Sequence, residues 1–207
     1  MKAIVFLADG FEECEGLITV DILRRADIET IMASAMEGLM IDSSRHIKVQ
    51  ADVMAADVDY DTVDLIVLPG GRLGTENLGA NDLVVEKCKE FAANGPVAES
   101  DKDFAVNGLE GEKSIENTRG KCLAAICAAP SLLAALGLLE GKQATCHPDF
   151  EGQMPGATLT SKSFVTDGNI TTGQGLGATF DFAFELVRIL VGQDTVDQIK
   201  KAICYRH

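Results

Sequence analysis

One cysteine, Cys127, lies where an apolar run of the sequence stops and a helical repeat begins. The preceding run, 123–126 (LAAI), has the composition of a buried strand. Two alanines and Pro130 follow Cys127, and proline fits the first turn of a helix because its missing N–H removes no bond that the helix uses. The pattern predicts a buried strand, a sharp turn with Cys127 at its apex, and a helix that starts at once.

The position of this turn bears on the chemistry of the thiol. A free cysteine has a pKa of about 8.5, so only about 3% of it is thiolate at neutral pH. Unpaired N–H groups and the positive end of the dipole at a helix N-terminus favour the anion. A fall of roughly two units in the pKa of Cys127 would make most of the sulfur thiolate. The alternative is a small residue packed against the sheet, as most free cysteines are.

Three acids, Glu12, Glu13 and Glu15, follow the first predicted strand. We expect one of them to face inward beside Cys127 and the other two to face solvent. Partial burial would raise the pKa of the inward carboxyl towards neutrality and suit it to acid and base catalysis. The alternative is three solvated acids at a helix N-terminus, where the dipole favours negative charge.

Backbone donors and one histidine complete the candidate site. Gly70 and Gly71 can offer N–H groups to an oxyanion, with the N–H of Ala128 as a second donor, or they can form an ordinary glycine turn. His147 can polarise the thiol, or the corner at His147-Pro148 can be purely structural. All these groups follow the C-terminal ends of predicted strands, and ligand sites of α/β proteins lie at that edge of the sheet.

Strands and helices alternate along the chain, which predicts an α/β fold with a mostly parallel sheet and helices on both faces. Beyond the turn at Cys127, strands are predicted at 2–7, 28–34, 65–68 and 143–146, and helices at 17–25, 81–94, 178–190 and 194–201. The alternating pattern of 39–58 predicts an antiparallel hairpin on the sheet. Residues 157–172 predict two strands that turn at Asp167-Gly168.

The length of 207 residues predicts a single domain, 1–207, with a surface insertion at about 95–120. That segment holds six acidic residues, three basic residues and four glycines, with few large apolar side chains. Because it connects a helix to a strand, we expect it at the N-terminal edge of the sheet, away from the site.

Composition excludes several classes of partner. A net charge of −14 argues against nucleic acid and anionic membranes as primary partners. No apolar run approaches the ~18 residues that span a bilayer, and the N-terminal run is too short for a signal peptide, so we expect a cytoplasmic protein. The six cysteines form no CxxC pair, and the three histidines lack metal-ligand spacing, so we expect free thiols and no metal.

Four ordered motifs resemble the ThiJ/PfpI superfamily, in the subfamily of the parkinsonism-associated deglycase (DJ-one) and bacterial YajL. They are 8–15 (ADGFEECE), 68–71 (LPGG), 124–130 (AAICAAP) and 145–148 (TCHP). The resemblance runs from residue 1 to about 201, apart from the insertion. It implies a flavodoxin-like three-layer sandwich, a homodimer and an activity that needs no cofactor.

The resemblance also implies roles for individual residues. Cys127 would be the oxidisable nucleophile and Glu15 the carboxyl that hydrogen-bonds it. Gly71 and Ala128 would supply the backbone donors, and Arg45, with Gly70, would belong to a substrate or anion pocket. Arg25 matches an arginine of the family's dimer interface.

The activity implied is that of a glyoxalase III or deglycase, acting on a small reactive carbonyl substrate. Such an enzyme converts the 2-oxoaldehyde methylglyoxal into lactate, or removes early glyoxal adducts. The Cys127 thiolate would add to the aldehyde carbon, Glu15 would move a proton between the two carbons, and hydrolysis would release a hydroxy acid. The alternative is a non-enzymatic oxidative-stress sensor or redox-regulated chaperone that works through oxidation of Cys127.

The chain departs from the family pattern in three ways. The insertion is absent from the members that it most resembles. Cys14 and Cys146 lie beside the expected site, where they can pair with Cys127 or be oxidised in its place. Gln174 stands where close relatives often have arginine, which puts part of any anion pocket in doubt.

Other functions fit the sequence less well. Residues 173–178 (GQGLGA) match a dinucleotide fingerprint, but no second strand ending in an acid follows. Cys127 with His147 and Asp149 resembles a glutamine amidotransferase triad, yet in that class the histidine lies far downstream. A peptidase of the PfpI type would have a histidine where this chain has Ala128.

Overall fold

The computed structural model describes residues 1–95 and 120–206. Its strands are β1 (Lys2–Leu7), β2 (Glu29–Ser34), β3 (Met40–Asp42), β4 (Lys48–Gln50), β5 (Val53–Met54), β6 (Leu65–Leu68), β7 (Cys122–Ile126), β8 (Gln143–Ala144), β9 (Thr158–Leu159), β10 (Phe164–Asp167) and β11 (Ile170–Gly173). Its α-helices are α1 (Glu13–Arg25), α2 (Arg72–Ala80), α3 (Asp82–Ala93), α4 (Pro130–Ala135), α5 (Thr179–Val191) and α6 (Gln193–Ala202).

The main sheet has seven strands in the order β10-β11-β7-β6-β1-β2-β5. Its neighbouring strands are parallel except for β10 and β11, which form an antiparallel hairpin. Because β6 lies between β1 and β7, the loops after these three strands meet at one edge. The predicted α/β fold, a flavodoxin-like sandwich with a mostly parallel sheet, is confirmed.

Alternating residues of β1 separate two hydrophobic cores, one on each face of the sheet. Ile4 and Phe6 pack in one core, and Ala3, Val5 and Leu7 pack in the other. The first core is closed by helices α2, α3 and α4, through Leu78, Val84, Phe91 and Leu133. The second is closed by α1, α5 and α6, through Ile22, Leu23, Phe182, Leu186 and Ile199. The helices therefore form the two outer layers predicted from the sequence.

Two helices differ from the prediction at the edge that carries the site. α1 begins at Glu13 rather than at 17, because the Glu12 carboxylate accepts a hydrogen bond from the N–H of Glu15 at 2.7 Å and caps the helix. α2 was not predicted at all. It contains two glycines, Gly74 and Gly79, each of which lowers helix propensity by about 1 kcal/mol.

The prediction for 39–58 is wrong in its pairing. β3 and β4 form an antiparallel hairpin, but as a separate two-stranded sheet, and β5 extends the main sheet in parallel with β2. Asp52 holds this edge, because its N–H donates to Met32 O and its carboxylate accepts from Met32 N, both at 2.8 Å. Arg24 adds an ion pair to Asp52 at 2.7 Å.

The prediction for 143–146 is also wrong in part. β8 comprises only two residues and pairs with β9 in a separate parallel ladder, so His147 does not follow a strand of the main sheet. The predicted turn between the last two strands is confirmed as the β10–β11 connection, where Gly168 has a φ of 63°.

The predicted insertion lies, apart from its ends, outside the described residues. Its position and the single-domain organisation stay predictions. Within 1–95 and 120–206, no helix is both long enough and apolar enough to cross a membrane. The same residues contain no group of three or more histidine, cysteine or acidic side chains arranged to hold a metal ion.

Candidate active site

Cys127 lies at the apex of the turn between β7 and α4, as predicted. Its φ of 65° is in the left-handed region that residues other than glycine rarely adopt. The strained backbone is held on both sides: the N–H of Cys127 donates to Gly173 O at 2.9 Å, and its carbonyl accepts from the N–H of His147 at 2.9 Å. The side chain is half-buried, so the thiol lies at an opening rather than in the core.

Glu15 is the carboxyl that meets this thiol. It lies in the first turn of α1 and is completely buried, with 0% of its surface exposed. Its Oε2 accepts a hydrogen bond from the N–H of Gly70 at 2.9 Å, and its side chain is in hydrogen-bonding contact with Cys127. Its Oε1 is buried without an ordinary hydrogen-bond partner in the described chain. That oxygen is open to the thiol proton or to a substrate.

Gly70 makes this contact possible because it has no side chain. A Cβ at this position would lie 2.6 Å from both Cys127 Cβ and Glu15 Oε2, and 2.9 Å from Ile126 O. These distances are far below van der Waals contact. Any larger residue after β6 would therefore push the acid and the thiol apart.

Two backbone N–H groups face the sulfur, those of Gly71 and Ala128, and both hydrogen-bond it. Gly71 has a φ of 86°, and a Cβ there would collide with the backbone of Gly10 and Glu12. Only glycine fits this close approach of the loops after β1 and β6. The structure thus brings together the acid and both backbone donors at Cys127.

The prediction that the pKa of the Cys127 thiol is lowered is wrong. Burial, with the charge and hydrogen bond of Glu15, raises the pKa of Cys127 to about 12, and the N–H groups of Gly71 and Ala128 lower it by less. Burial also raises the pKa of Glu15 from 4.5 to about 7, against the hydrogen bond from Cys127. Two groups this close titrate together, and above about pH 7 the pair keeps one proton and carries one negative charge.

Glu13 corrects the expectation that a single acid of the cluster is buried. It is only 5% exposed, and its carboxylate accepts a hydrogen bond from Ser44 Oγ at 3.1 Å. Burial raises its pKa, but hydrogen bonds from its own N–H, from Ser43 and Ser44 and from the backbone of Arg45 outweigh this and lower the pKa below its ordinary value. Glu13 therefore stays ionised and fixes the loop 43–45 to α1.

His147 lies beside the site but is not aimed at the sulfur through Nδ1. Its Nδ1 accepts a hydrogen bond from the N–H of Asp149 at 3.2 Å, which assigns the proton of the neutral ring to Nε2. A Cβ at Gly175 would lie 3.6 Å from His147 Cδ2 and 3.8 Å from the Cys127 sulfur, so both border the same small space. A catalytic role for His147 stays a prediction.

Arg45, expected in a substrate or anion pocket with Gly70, makes no hydrogen bond or ion pair with Cys127 or Glu15 within the described chain. The Arg45 side chain is exposed, and its guanidinium bonds the carbonyl of Ser44 at 3.3 Å. Gln174 is half-buried, and its backbone N–H donates to Ser163 O at 2.9 Å.

Arg72 is a residue that the sequence analysis missed. It is the first residue of α2, directly after Gly71, and its guanidinium carbon lies 4.7 Å from the centre of the Phe150 ring. Phe150 in turn meets His147 edge to face, with ring centres 6.5 Å apart. Its position could have identified it, because it comes directly after a glycine pair that is predicted to bind an oxyanion.

The other cysteines do not engage Cys127. All six are free, with Cys14 exposed and Cys146 buried. Burial raises the pKa of Cys14, as do the charges of Glu12, Glu13 and Glu15, and burial with Glu151 raises that of Cys146 to about 11. Both pKa values are raised, but that of Cys146, at about 11, stays below the value of about 12 for Cys127.

Comparison with known proteins places the chain among homologues along nearly its whole length. A family model described as the DJ-1/PfpI family matches residues 1–99 and 113–189. The protein dj-1beta of Drosophila melanogaster is 32% identical over 204 residues, which cover 98% of this chain and 96% of that protein. A protein of Pyrococcus abyssi named a deglycase is 26% identical over 192 residues, covering 92% of this chain and 99% of that one.

Solved structures show the same architecture. One described as oxidized DJ-1 of Toxoplasma gondii superposes with a TM-score of 0.84 at 28% identity, and the match covers 100% of this chain and 99% of that one.

Gly70→Ala is expected to damage the site, because its methyl group would enter the space between Cys127 and Glu15. We expect it to lower the free energy of unfolding by about 1–3 kcal/mol, as overpacking does. Gly175→Ala is the matched control, since its Cβ would meet only ordinary contacts, of 3.6–4.0 Å. Denaturant unfolding of both variants measures the difference. Equal effects of the two changes would show that the close packing at Gly70 is unimportant.

Glu15→Gln and Glu13→Gln are expected to change stability in opposite directions at about pH 8. The folded pKa of Glu15 is raised from 4.5 to about 7, so its favourable contribution is complete below 4.5 and lost as pH rises through 7. Glutamine does not ionise, so it does not lose this stability as pH rises. At about pH 8, Glu15→Gln should therefore increase the free energy of unfolding by up to about 3 kcal/mol.

The pKa of Glu13 is lowered instead, so its contribution is present above 4.5 and disappears as pH falls. Glu13→Gln should therefore destabilise the protein near neutral pH, with a smaller effect in acid. Denaturant unfolding at several pH values tests both changes. A Glu15→Gln variant that is less stable than the parent at about pH 8 would contradict the raised pKa.

Proposed function

Because the chain belongs to the DJ-1/PfpI family, we propose that it is a cofactor-independent cysteine enzyme acting on 2-oxoaldehydes. It converts methylglyoxal into lactate, in the manner of a glyoxalase III, or it removes early glyoxal adducts as a deglycase. One observation carries the proposal: a buried carboxyl whose pKa is near 7 contacts a half-exposed thiol on a strained turn. An acid and a nucleophile so paired suit proton transfer at neutral pH.

The reaction begins when Glu15 takes the proton of Cys127. The thiolate attacks the aldehyde carbon of methylglyoxal, and the carbonyl oxygen becomes the hydroxyl of a hemithioacetal by accepting a proton. The N–H groups of Gly71 and Ala128, which already face the sulfur, are suited to stabilise negative charge on that oxygen. Their fixed positions cost no reorganisation during the reaction.

The second step moves a proton between the two carbons. Glu15 removes the proton from the former aldehyde carbon and returns it to the neighbouring carbonyl carbon, while the hydroxyl proton passes to the neighbouring carbonyl oxygen. This leaves a thioester of lactate on Cys127. Water then hydrolyses the thioester, releasing lactate and restoring the thiol. The net change is the addition of one water molecule to methylglyoxal.

Deglycation uses the same proton transfer on a different starting compound. An early adduct carries the 2-oxoaldehyde on an amine or thiol of another molecule. The Cys127 sulfur would bond to the aldehyde carbon, the bond from that carbon to the amine or thiol would break, and the amine or thiol would leave with the proton that Glu15 took from Cys127. The relative from Pyrococcus abyssi is named a deglycase, which supports this branch of the proposal.

A second candidate is a peroxide sensor or redox-regulated chaperone. The Cys127 thiolate would attack hydrogen peroxide to give a sulfenate and water, and a second peroxide would give the sulfinate. Protonated Glu15 can donate a hydrogen bond to a sulfinate oxygen, an arrangement that its raised pKa favours. A structure described as oxidized DJ-1 of Toxoplasma gondii is among those similar to this chain.

We also propose that the protein acts as a homodimer in the cytoplasm. The β3–β4 hairpin exposes Met40 (57%) and Ile47 (50%), apolar side chains that a second copy can cover. Arg25 is exposed at the end of α1, where it pairs with Asp21 at 2.6 Å. Its place at a dimer interface stays a prediction.

Cys127→Ser is expected to lower lactate formation from methylglyoxal by at least roughly two orders of magnitude, because serine is a far weaker nucleophile in this scheme. Cys14→Ser, an exposed thiol near the site, should keep activity within about twofold. Lactate release by pure protein measures both variants. Turnover by Cys127→Ser close to that of the parent would rule the scheme out.

The same samples separate the two candidate functions. Steady lactate production by the parent supports the enzyme. The sensor is supported by negligible lactate production together with a gain of two oxygens at Cys127 after mild peroxide treatment. Intact mass and peptide mapping detect this oxidation.

The pH dependence of kcat/KM for methylglyoxal should report the Glu15 carboxyl. Activity is expected to rise with pH through about 7, since below that value Glu15 is protonated and cannot take the thiol proton. Glu15→Gln should lose most activity and this pH limb together. A profile that stays flat between about pH 5 and 9 would remove Glu15 as the base.

A further inference from the structure

Arg72 presents an unused cation at the edge of the site. Its side chain is exposed, and its guanidinium makes no hydrogen bond or ion pair within the described chain. The N–H of its neighbour Gly71 donates to the Cys127 sulfur. The backbone of Arg72 is therefore one residue from a group that contacts the reacting atom.

A chain of contacts connects this guanidinium with Cys127. It lies 4.7 Å from the centre of the Phe150 ring, and that ring meets His147. The backbone N–H of His147 donates to the carbonyl of Cys127 at 2.9 Å. Phe150 is only 8% exposed, so it offers a fixed surface for stacking. A guanidinium stacked by its face keeps the N–H donors of its edge free for a ligand.

Local structure gives a cation at this position little net preference. Arg72 is the first residue of α2, where the helix dipole disfavours positive charge, and its stacking on Phe150 offsets that cost. Glu76, one turn later, forms no ion pair with it. A cation with little net local benefit, one residue from a backbone donor to the sulfur, is a candidate for ligand binding.

The charge of the rest of the site gives this cation a purpose. Above about pH 7, Glu15 and Cys127 carry one negative charge between them, in a chain of net charge −14. Gln174, which precedes Gly175 at the site, is neutral. An anionic substrate therefore needs a cation from another element, and α2 supplies one beside Phe150.

We propose that Arg72 binds the anionic end of the substrate and selects 2-oxoaldehydes that carry a carboxylate or phosphate a few carbons from the aldehyde. This inference rests on the proposed activity and names its substrate class. Arginine suits the role because its guanidinium binds such groups through two parallel hydrogen bonds. The aldehyde end reacts at Cys127, while the anionic end lies against the exposed edge of the stacked guanidinium.

Turnover tests the substrate class directly. Dioxovalerate, a 2-oxoaldehyde whose chain ends in a carboxylate, is compared with neutral methylglyoxal in the parent, Arg72→Gln and Arg72→Lys. Arg72→Gln should lower kcat/KM for dioxovalerate by about 10–100-fold and that for methylglyoxal by less than about threefold. Arg72→Lys should keep part of the preference, because it retains the charge but not the paired donors.

Lys89→Gln is the charge-matched control, since Lys89 is an exposed cation on α3, which contributes no residue to the site. It should leave the ratio of the two kcat/KM values unchanged. A loss of preference in Lys89→Gln equal to that in Arg72→Gln would overturn the proposal, as would equal losses for both substrates in Arg72→Gln.

Alkylation of Cys127 tests the cation without any turnover. Iodoacetate is anionic and iodoacetamide neutral, and both react with the thiolate, so the ratio of their rates cancels the thiolate fraction. Peptide mapping isolates Cys127 from the exposed Cys14 and Cys204. Arg72→Gln should lower the iodoacetate-to-iodoacetamide ratio by about three- to tenfold, and Lys89→Gln should not.

The two experiments distinguish two failures. If the parent turns over neither aldehyde but Arg72→Gln still lowers the alkylation ratio, the proposed activity is wrong and the anion site stands. If the alkylation ratio is unchanged in Arg72→Gln, the proposal for Arg72 is wrong whatever the turnover shows.

Discussion

The contact between Glu15 and Cys127 is the constraint on which the site depends. It requires the start of α1, the end of β6 and the turn after β7 to meet, and the central position of β6 between β1 and β7 ensures that they do. Gly70 sets the separation, because a Cβ there would lie 2.6 Å from both side chains. Gly70, Glu15 and Cys127 therefore depend on one another. The helix or strand next to each residue does not by itself account for that residue's identity.

Two acids in the first turn of the same helix show how environment divides their chemistry. Glu13 receives hydrogen bonds from the loop that includes Ser43 and Ser44, and its pKa falls. Glu15 receives one backbone hydrogen bond and lies against a thiol, so burial dominates and its pKa rises to about 7. The helix dipole acts on both and cannot cause the difference. One acid holds the loop, and the other is left able to exchange a proton.

The sequence predicts the parts of this arrangement that depend on local pattern. The apolar run before Cys127, Pro130 after it and the pair Gly70-Gly71 predict the turn and the backbone donors. The direction of the thiol pKa shift could not be predicted, because it depends first on burial in the folded protein and then on Glu15, a carboxyl 112 positions away in the chain. The helix α2 was missed since its two glycines weaken the helical pattern. With that helix unseen, Arg72 had no assigned place.

The charge of the site determines which reagents it can distinguish. Above about pH 7 the acid and the thiol carry one negative charge, whichever of them holds the remaining proton. A neutral aldehyde and hydrogen peroxide meet no electrostatic barrier there, so the pair alone does not separate turnover from oxidation. An anionic substrate is repelled unless a cation meets it, and the guanidinium stacked on Phe150 is a cation that forms no ion pair within the described chain. Discrimination between reagents therefore depends on residues around the site, such as Arg72, while Glu15 and Cys127 carry out the reaction itself.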